Sequence, residues 1–134
     1  MDDIFVARVM SADVKTVSPE TLVEDAAQEM LEYGIGSVVV VDSDDRLEGI
    51  LTTTDFVQIV AERKPKDQTP VSEYMSTDIV TAGPQDSIQD VADAMIKYGF
   101  HHMPVLTDEE EVIGIITTTD LTGYLSQEKA PSPA

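Results

Sequence analysis

"GILTTTDF" (Gly49–Phe56) and "GIITTTDL" (Gly114–Leu121) are nearly the same phrase written twice in a chain of 134 residues. Sliding the sequence on itself by that interval matches residues 10–56 to residues 75–121 without a gap. Met10 falls on Met75, Asp13 on Asp78, Pro19 on Pro84, Met30 on Met95, and Tyr33–Gly34 on Tyr98–Gly99. Repetition this regular marks a duplicated structural unit. A repeat of about 60 residues is too small to bury much surface alone, and two copies are too few for a solenoid. The repeat therefore predicts a pseudo-symmetric pair whose halves share a core.

Within the first copy, "SPETLVEDAAQEMLEYG" predicts a helix that starts near Thr21, with Glu24 completing a capping box and Gly34 as its stop. Leu22, Ala26, Ala27, Met30 and Leu31 fall on one face at helical spacing. "SVVVVD" has the β-branched density of a buried strand, "SDDR" a turn, and "LEGILT" the return strand of a hairpin. "TTDFVQIVAE" opens a second helix, with Thr53 or Thr54 as its cap. The second copy repeats this order: helix Ser87–Tyr98, strand Met103–Leu106, turn Asp108–Glu111, strand Val112–Thr117, and a helix from Thr119. Short strands near Val14–Val17 and Ile79–Ala82 precede the first helix of each copy. The expected fold class is α+β, two β-α-β-β-α units. The expected division is 8–62 and 73–126, with residues 63–72 as linker (Thr69–Pro70 opening a short helix) and 127–134 as a disordered tail.

Composition narrows the function. The chain carries 26 acidic against 8 basic side chains, a formal charge of −18. Such a field repels nucleic acid and anionic membranes, so neither is expected as a partner. The simplest reading of the acid excess is a solvated face; life at high salt is another. With no cysteine there is no disulfide framework, thiolate nucleophile or Cys-ligated metal. "MDDIFVARVM" lacks the basic and apolar segments of a signal peptide, and "VVVV" is far short of a membrane span. A cytoplasmic protein is expected.

The stretches "VMSADVKTVSPETLVEDAAQEMLEYGIGSVVVVDSDDRLEGILTTTDF" and "YMSTDIVTAGPQDSIQDVADAMIKYGFHHMPVLTDEEEVIGIITTTDL" together resemble a tandem pair of CBS domains, the module named after cystathionine β-synthase, of the stand-alone archaeal or bacterial type. The resemblance covers about Arg8 to Leu125. It implies two units packed through their sheets, adenosine-type ligands held in clefts between them, frequent homodimers, and a regulatory role toward another protein, here unidentified. The ligand expected is AMP, ADP or ATP, with S-adenosylmethionine or NAD as further options; no cofactor is required.

The twice-written phrase passes from a strand into a helix start, where free N–H groups and the helix dipole favour an anion. The hydroxyls of Thr52, Thr54, Thr117 and Thr119 are candidate phosphate donors. Asp55 and Asp120, pure acceptors when ionised, are candidate ligands of a ribose diol and match the family's Thr-x-x-Asp pattern. Ordinary helix caps remain the competing explanation. Gly49 and Gly114 leave room beside the sheet or serve a bulge. The resemblance places the base against Val14, Lys15, Thr16, Ile35, Gly36, Ser37 and Val38, and against Ile79, Val80, Thr81, Phe100, Met103 and Pro104. It also implies composite pockets, Asp55 working with Phe100, His101 and His102, and Asp120 with Ile35, Gly36 and Ser37. "GFHHMPV" against "GIGSVVV" predicts unequal pockets, the one lined by His101 and His102 favouring phosphorylated adenosine. Alternatively the histidines merely end a strand.

Other signals are weaker. "DSDDRLEGILTTTD" has Asp42 and Asp44 where a calcium loop has ligands, but Arg46, Leu47 and Thr53 occupy its later key places. His101–His102 lacks a third zinc ligand at useful spacing. Tyr33 and Tyr98 read as packing residues. No nucleophile–base set or phosphate loop is present, so an enzyme is not expected. The alternative to a nucleotide sensor is a structural dimerisation module whose pockets no longer bind.

Overall fold

The computed structural model describes residues 4–129. The elements run α1 (Val6–Val9), β1 (Thr16–Val17), α2 (Val23–Tyr33), β2 (Ser37–Val41), β3 (Leu47–Thr52), α3 (Thr53–Ala61), a 3-10 turn (Val71–Glu73), α4 (Ile88–Tyr98), β4 (His102–Leu106), β5 (Val112–Thr117) and α5 (Thr118–Lys129). The fold is α+β, with two β-α-β-β-α-like units. Helix α5 carries on past residue 126, where the tail was expected to begin; residues 130–134 of that tail lie outside the described residues.

The compact units do not follow the boundaries of the repeats. One unit, built on the first repeat, comprises Val14–Ile79 and Glu110–Val112; the other, built on the second, takes the described residues through Asp13, Val80–Glu109 and those from Ile113. The compact units thus cut across the expected sequence division into 8–62, 63–72 and 73–126, and the reason is hydrogen bonding. In the first-repeat unit the amide of Val71 donates to the carbonyl of Thr21 (2.7 Å), Ser72 to Pro19 (3.1 Å), and Val23 to Thr69 (2.9 Å). In the second-repeat unit Val6 donates to Asp86 (2.8 Å), Ala7 to Pro84 (3.0 Å), and Ile88 to Ile4 (2.9 Å). The segment that precedes each repeat thus docks on the other repeat. The end of the expected linker joins a core, where Val71 is fully buried, and Val6 is fully buried in the other unit.

This docking also corrects the start of α2. The helix begins at Val23 rather than near Thr21, and its cap residue Leu22 offers no side-chain bond. Thr21 instead shares its hydroxyl with Ser18 (3.1 Å). The first free amides of α2 find carbonyls of the docked segment, Val23 on Thr69 and Glu24 on Lys66 (3.3 Å), so no capping box is needed. The matching helix α4 keeps a side-chain cap, Ser87 Oγ accepting from the Asp90 amide at 3.1 Å. Gly34 and Gly99 end these helices at φ 62° and 74°, conformations open to glycine at no steric cost.

In the first-repeat unit β2 lies between β1, parallel (Thr16↔Val39, Val17↔Val40), and β3, antiparallel (Ser37↔Thr52 to Val40↔Gly49). All five residues of β2 are buried, which accounts for its unbroken run of valines. The core joins Val23, Ala26 and Met30 of α2 to Val38, Val40, Leu51, Ile59 and Val71. Leu31, expected on that face, is instead 82% exposed. The second-repeat unit packs Val6, Ala82, Val91, Met95, Met103, Val105 and Ile116 around the β4–β5 pair. Its expected first strand at Ile79–Ala82 shrinks to a single parallel bridge, Ala82 to Val105. Val39 donates to the Lys15 carbonyl at 3.1 Å, but the repeat-related residue is Pro104, which has no amide proton to give Val80.

Gly49 and Gly114 are explained by the same docking. The Ser76 backbone pairs with Ile50 (3.0 and 2.9 Å) and the Ser11 backbone with Ile115 (2.9 and 2.8 Å). A Cβ on Gly49 would lie 2.7 Å from Met75 Sδ and 2.9 Å from the Ser76 carbonyl oxygen; one on Gly114 would lie 2.5 Å from Met10 Sδ and 3.1 Å from the Ser11 oxygen. The room these glycines leave is filled by protein. A bulge adjoins Gly49, where the register shifts between Val40 and Val41. Gly49→Ala is expected to lower stability to chemical denaturation by about 1–3 kcal/mol, since the backbone oxygen of Ser76 has to retreat; an unchanged midpoint would show that the docked segment yields freely.

Candidate functional site

Both strand-to-helix corners are built by capping. In the first-repeat unit the cap of α3 is Thr52, not Thr53 or Thr54, because Asp55 is the residue that reaches back to it. The Thr52 amide donates to Asp55 Oδ2 at 2.8 Å and the Thr52 hydroxyl approaches the same oxygen at 3.4 Å. In the second-repeat unit the Thr117 amide and hydroxyl donate to Asp120 Oδ2 at 2.9 and 3.1 Å, and the Asp120 amide donates to Thr117 Oγ1 at 3.1 Å. The Thr-x-x-Asp pattern is therefore a capping box in both copies. Thr52 and Thr117, expected to face phosphate, spend their hydroxyls on these carboxylates. Thr54 and Thr119 stand exposed in the first turn of their helices.

Capping does not exhaust the carboxylates. Asp55 is half-buried, and burial raises its carboxyl above the ordinary value, against the lowering effect of the Thr52 amide and hydroxyl. Its Oδ2 serves the cap, and its Oδ1 has no hydrogen-bond partner among the described residues. In the other unit Asp120 Oδ1 accepts from Ser11 Oγ at 3.1 Å. Ser11 was missed by sequence reasoning, although "MS" stands at the same place in both copies, Met10–Ser11 and Met75–Ser76.

Of the expected base-lining residues, the first-repeat unit holds Val14, Lys15, Thr16, Ile35, Gly36, Ser37, Val38 and Ile79; the second-repeat unit holds Val80, Thr81, Phe100, Met103 and Pro104. Val38, Met103 and Pro104 are fully buried, so their side chains face core and leave only backbone to a ligand. The Gly36 carbonyl accepts from the Thr53 amide (3.2 Å), and the His101 carbonyl from the Thr118 amide (3.1 Å), fastening each pre-strand segment to its corner. Lys15 Nζ lies 4.1 Å from the centroid of the Tyr33 ring. Tyr33 and Tyr98, read as packing residues, are 49% and 54% exposed; Lys97 stands over Tyr98 at 5.2 Å.

His101 is exposed and His102 is half-buried at the start of β4. Burial, and then the neighbouring His101, push the His102 imidazole below its ordinary value, opposed by Asp120. As pH falls below about 6.5 the unfolded chain takes up this proton before the folded one, so the fold loses stability from there downward. Between pH 7.5 and 5.5 the wild type should lose more stability in urea than His102→Gln; parallel losses would remove His102 as the cause.

No helix among the described residues is long and apolar enough to cross a membrane. Residues 6–62 and 71–127 each match the CBS domain family. The chain is 33% identical over 124 residues to the CBS domain-containing protein YhcV of Bacillus subtilis, covering 92% of this chain and 87% of that one. Its fold superposes on the CBS domain pair of protein MJ0100, a complex with 5′-methylthioadenosine and S-adenosyl-L-methionine, with a TM-score of 0.89 at 26% identity, covering 96% of this chain and all of that one. A protein with CBS domains from Burkholderia ambifaria MC40-6 superposes with a TM-score of 0.88 at 27% identity, over 98% and 100% of the two chains. A duplicated β-α-β-β-α-like repeat, a Thr-x-x-Asp box at both corners and these matches lead to one conclusion: the chain belongs to the CBS domain family and is a tandem CBS pair.

Proposed function

We propose that this chain is a non-catalytic, cytoplasmic regulatory module that binds adenosine-containing ligands at its strand-to-helix corners and passes their occupancy to a partner protein. The observation that carries the reading is Asp55: a half-buried carboxylate with one oxygen on the cap and the other without a partner among the described residues. A ribose diol supplies the hydroxyl donors such an oxygen lacks, and the start of α3 beside it favours an anionic tail. The complex of the MJ0100 pair with two adenosyl compounds supports the same ligand class. AMP, ADP and ATP are the preferred candidates, with S-adenosylmethionine and NAD sharing the adenosyl group. For occupancy to be a signal, the ligand must bind one state of the chain more tightly than another.

Thermal unfolding with each of these compounds tests the reading. At 100-fold excess over Kd a ligand adds about 2.7 kcal/mol of stability. Asp55→Ala should weaken binding at least about tenfold, the scale of a hydrogen bond to a charged group. No stabilisation by any of the five compounds would favour a purely structural module.

We also propose self-association through the helices. In the first-repeat unit Leu31 (82%), Val57 (69%) and Val60 (76%) are exposed on α2 and α3, beside a groove of about 710 Å³ that Phe56 and Ala27 help to line. In the second-repeat unit the residues matching Leu31 and Val60 are Ile96 (83%) and Leu125 (51%). Apolar exposure at the same places in both repeats is the mark of a covered surface rather than chance. Sedimentation should show a dimer, and Leu31→Glu with Ile96→Glu a folded monomer; a monomeric wild type would sink this assignment.

A further inference from the structure

The two corners share one backbone frame and differ in one hydroxyl. Ser11 and Ser76 occupy the same place in the two repeats, each held by paired backbone bonds to an isoleucine, Ile115 or Ile50. Ser11 Oγ donates to Asp120 Oδ1 at 3.1 Å, so both oxygens of Asp120 are engaged within its own unit. Among the described residues Ser76 makes no such bond, and Asp55 Oδ1 is left open.

We infer that Ser11 is an internal stand-in for a ligand hydroxyl, which makes Asp55 the corner that fills first and Asp120 a latched corner of lower affinity. The inference rests on the reading of both carboxylates as ribose acceptors. A carboxylate oxygen that already accepts from Ser11 gains little from a ribose hydroxyl until that bond is given up. At Asp55 the incoming hydroxyl replaces no protein donor. Burial of the Asp55 carboxyl acts in the same direction, because a desolvated acceptor gains more from a new donor. Release of Ser11 needs only rotation about its Cα–Cβ bond, since the backbone bonds to Ile115 hold the residue in place. The latch therefore sets affinity without a change of fold, and it grades the response: low ligand fills one corner, high ligand both.

The test is calorimetric titration of the full chain with AMP and with S-adenosylmethionine. Asp55→Asn keeps an acceptor for the cap but cannot receive a diol as a carboxylate does, so the remaining binding reports the Asp120 corner. Adding Ser11→Ala to that variant should tighten this binding about three- to tenfold, the scale of one net hydrogen bond. Ser76→Ala in an Asp120→Asn background should leave the Asp55 corner unchanged. Unchanged or weaker binding on adding Ser11→Ala overturns the latch while leaving adenosyl binding intact. A wild type that binds neither compound overturns both.

Discussion

Val6 and Val71 have no accessible surface, and neither lies in the core of the repeat it leads into. Each is buried in the unit built on the other repeat, held there by three backbone hydrogen bonds at matching positions. Burying one such side chain is worth about 1.5–3 kcal/mol. For a unit of about 60 residues, which has little core to spare, that is a large share of its stability. The exchange thus makes each repeat depend on the chain segment that precedes its twin. It also supplies acceptors for the first amides of α2, which explains why that helix starts without a capping side chain.

The corners inherit this constraint. The docked segments continue from Val6 and Val71 to Ser11 and Ser76, whose backbones lie against Ile115 and Ile50, next to Gly114 and Gly49. The glycines are small so that protein can approach the strand, and the approaching protein brings a serine hydroxyl within reach of a corner carboxylate. Capping uses one oxygen of each aspartate; what meets the other oxygen differs between the units. A helix cap and a ligand acceptor are therefore not rival roles for Asp55, since one carboxylate has an oxygen for each.

The segment between the repeats is tied down at its end. "ERKPKDQTP" has the charge and prolines of a connector, yet Thr69 is buried and its hydroxyl donates to the Pro65 carbonyl at 2.7 Å. Beyond it, the Tyr74 hydroxyl donates to Glu62 at 2.7 Å, tying the segment back to the end of α3. Burial and the Glu62 carboxylate push that phenol up to about 12, so the tie persists across the neutral range.

The duplication, the order of elements apart from α1 and the strand at Ile79–Ala82, the hairpins and the glycine stops were legible in the chain, because they follow from local periodicity, β-branched runs and backbone preferences that act over a few residues. The two Thr-x-x-Asp corners were legible as helix starts, though the caps proved to be Thr52 and Thr117 rather than the threonines that follow them. Other features were decided by the tertiary structure: the docking of Val6 and Val71, the loss of a strand to Pro104, the exposure of Leu31, and the bond from Ser11 to Asp120. The docking and the Ser11 bond depend on groups far apart in sequence, 109 positions in the case of Ser11 and Asp120, so no local pattern encodes them. A serine repeated at Met10–Ser11 and Met75–Ser76 is visible in the sequence; which carboxylate its hydroxyl reaches is settled by where the chain is brought to lie.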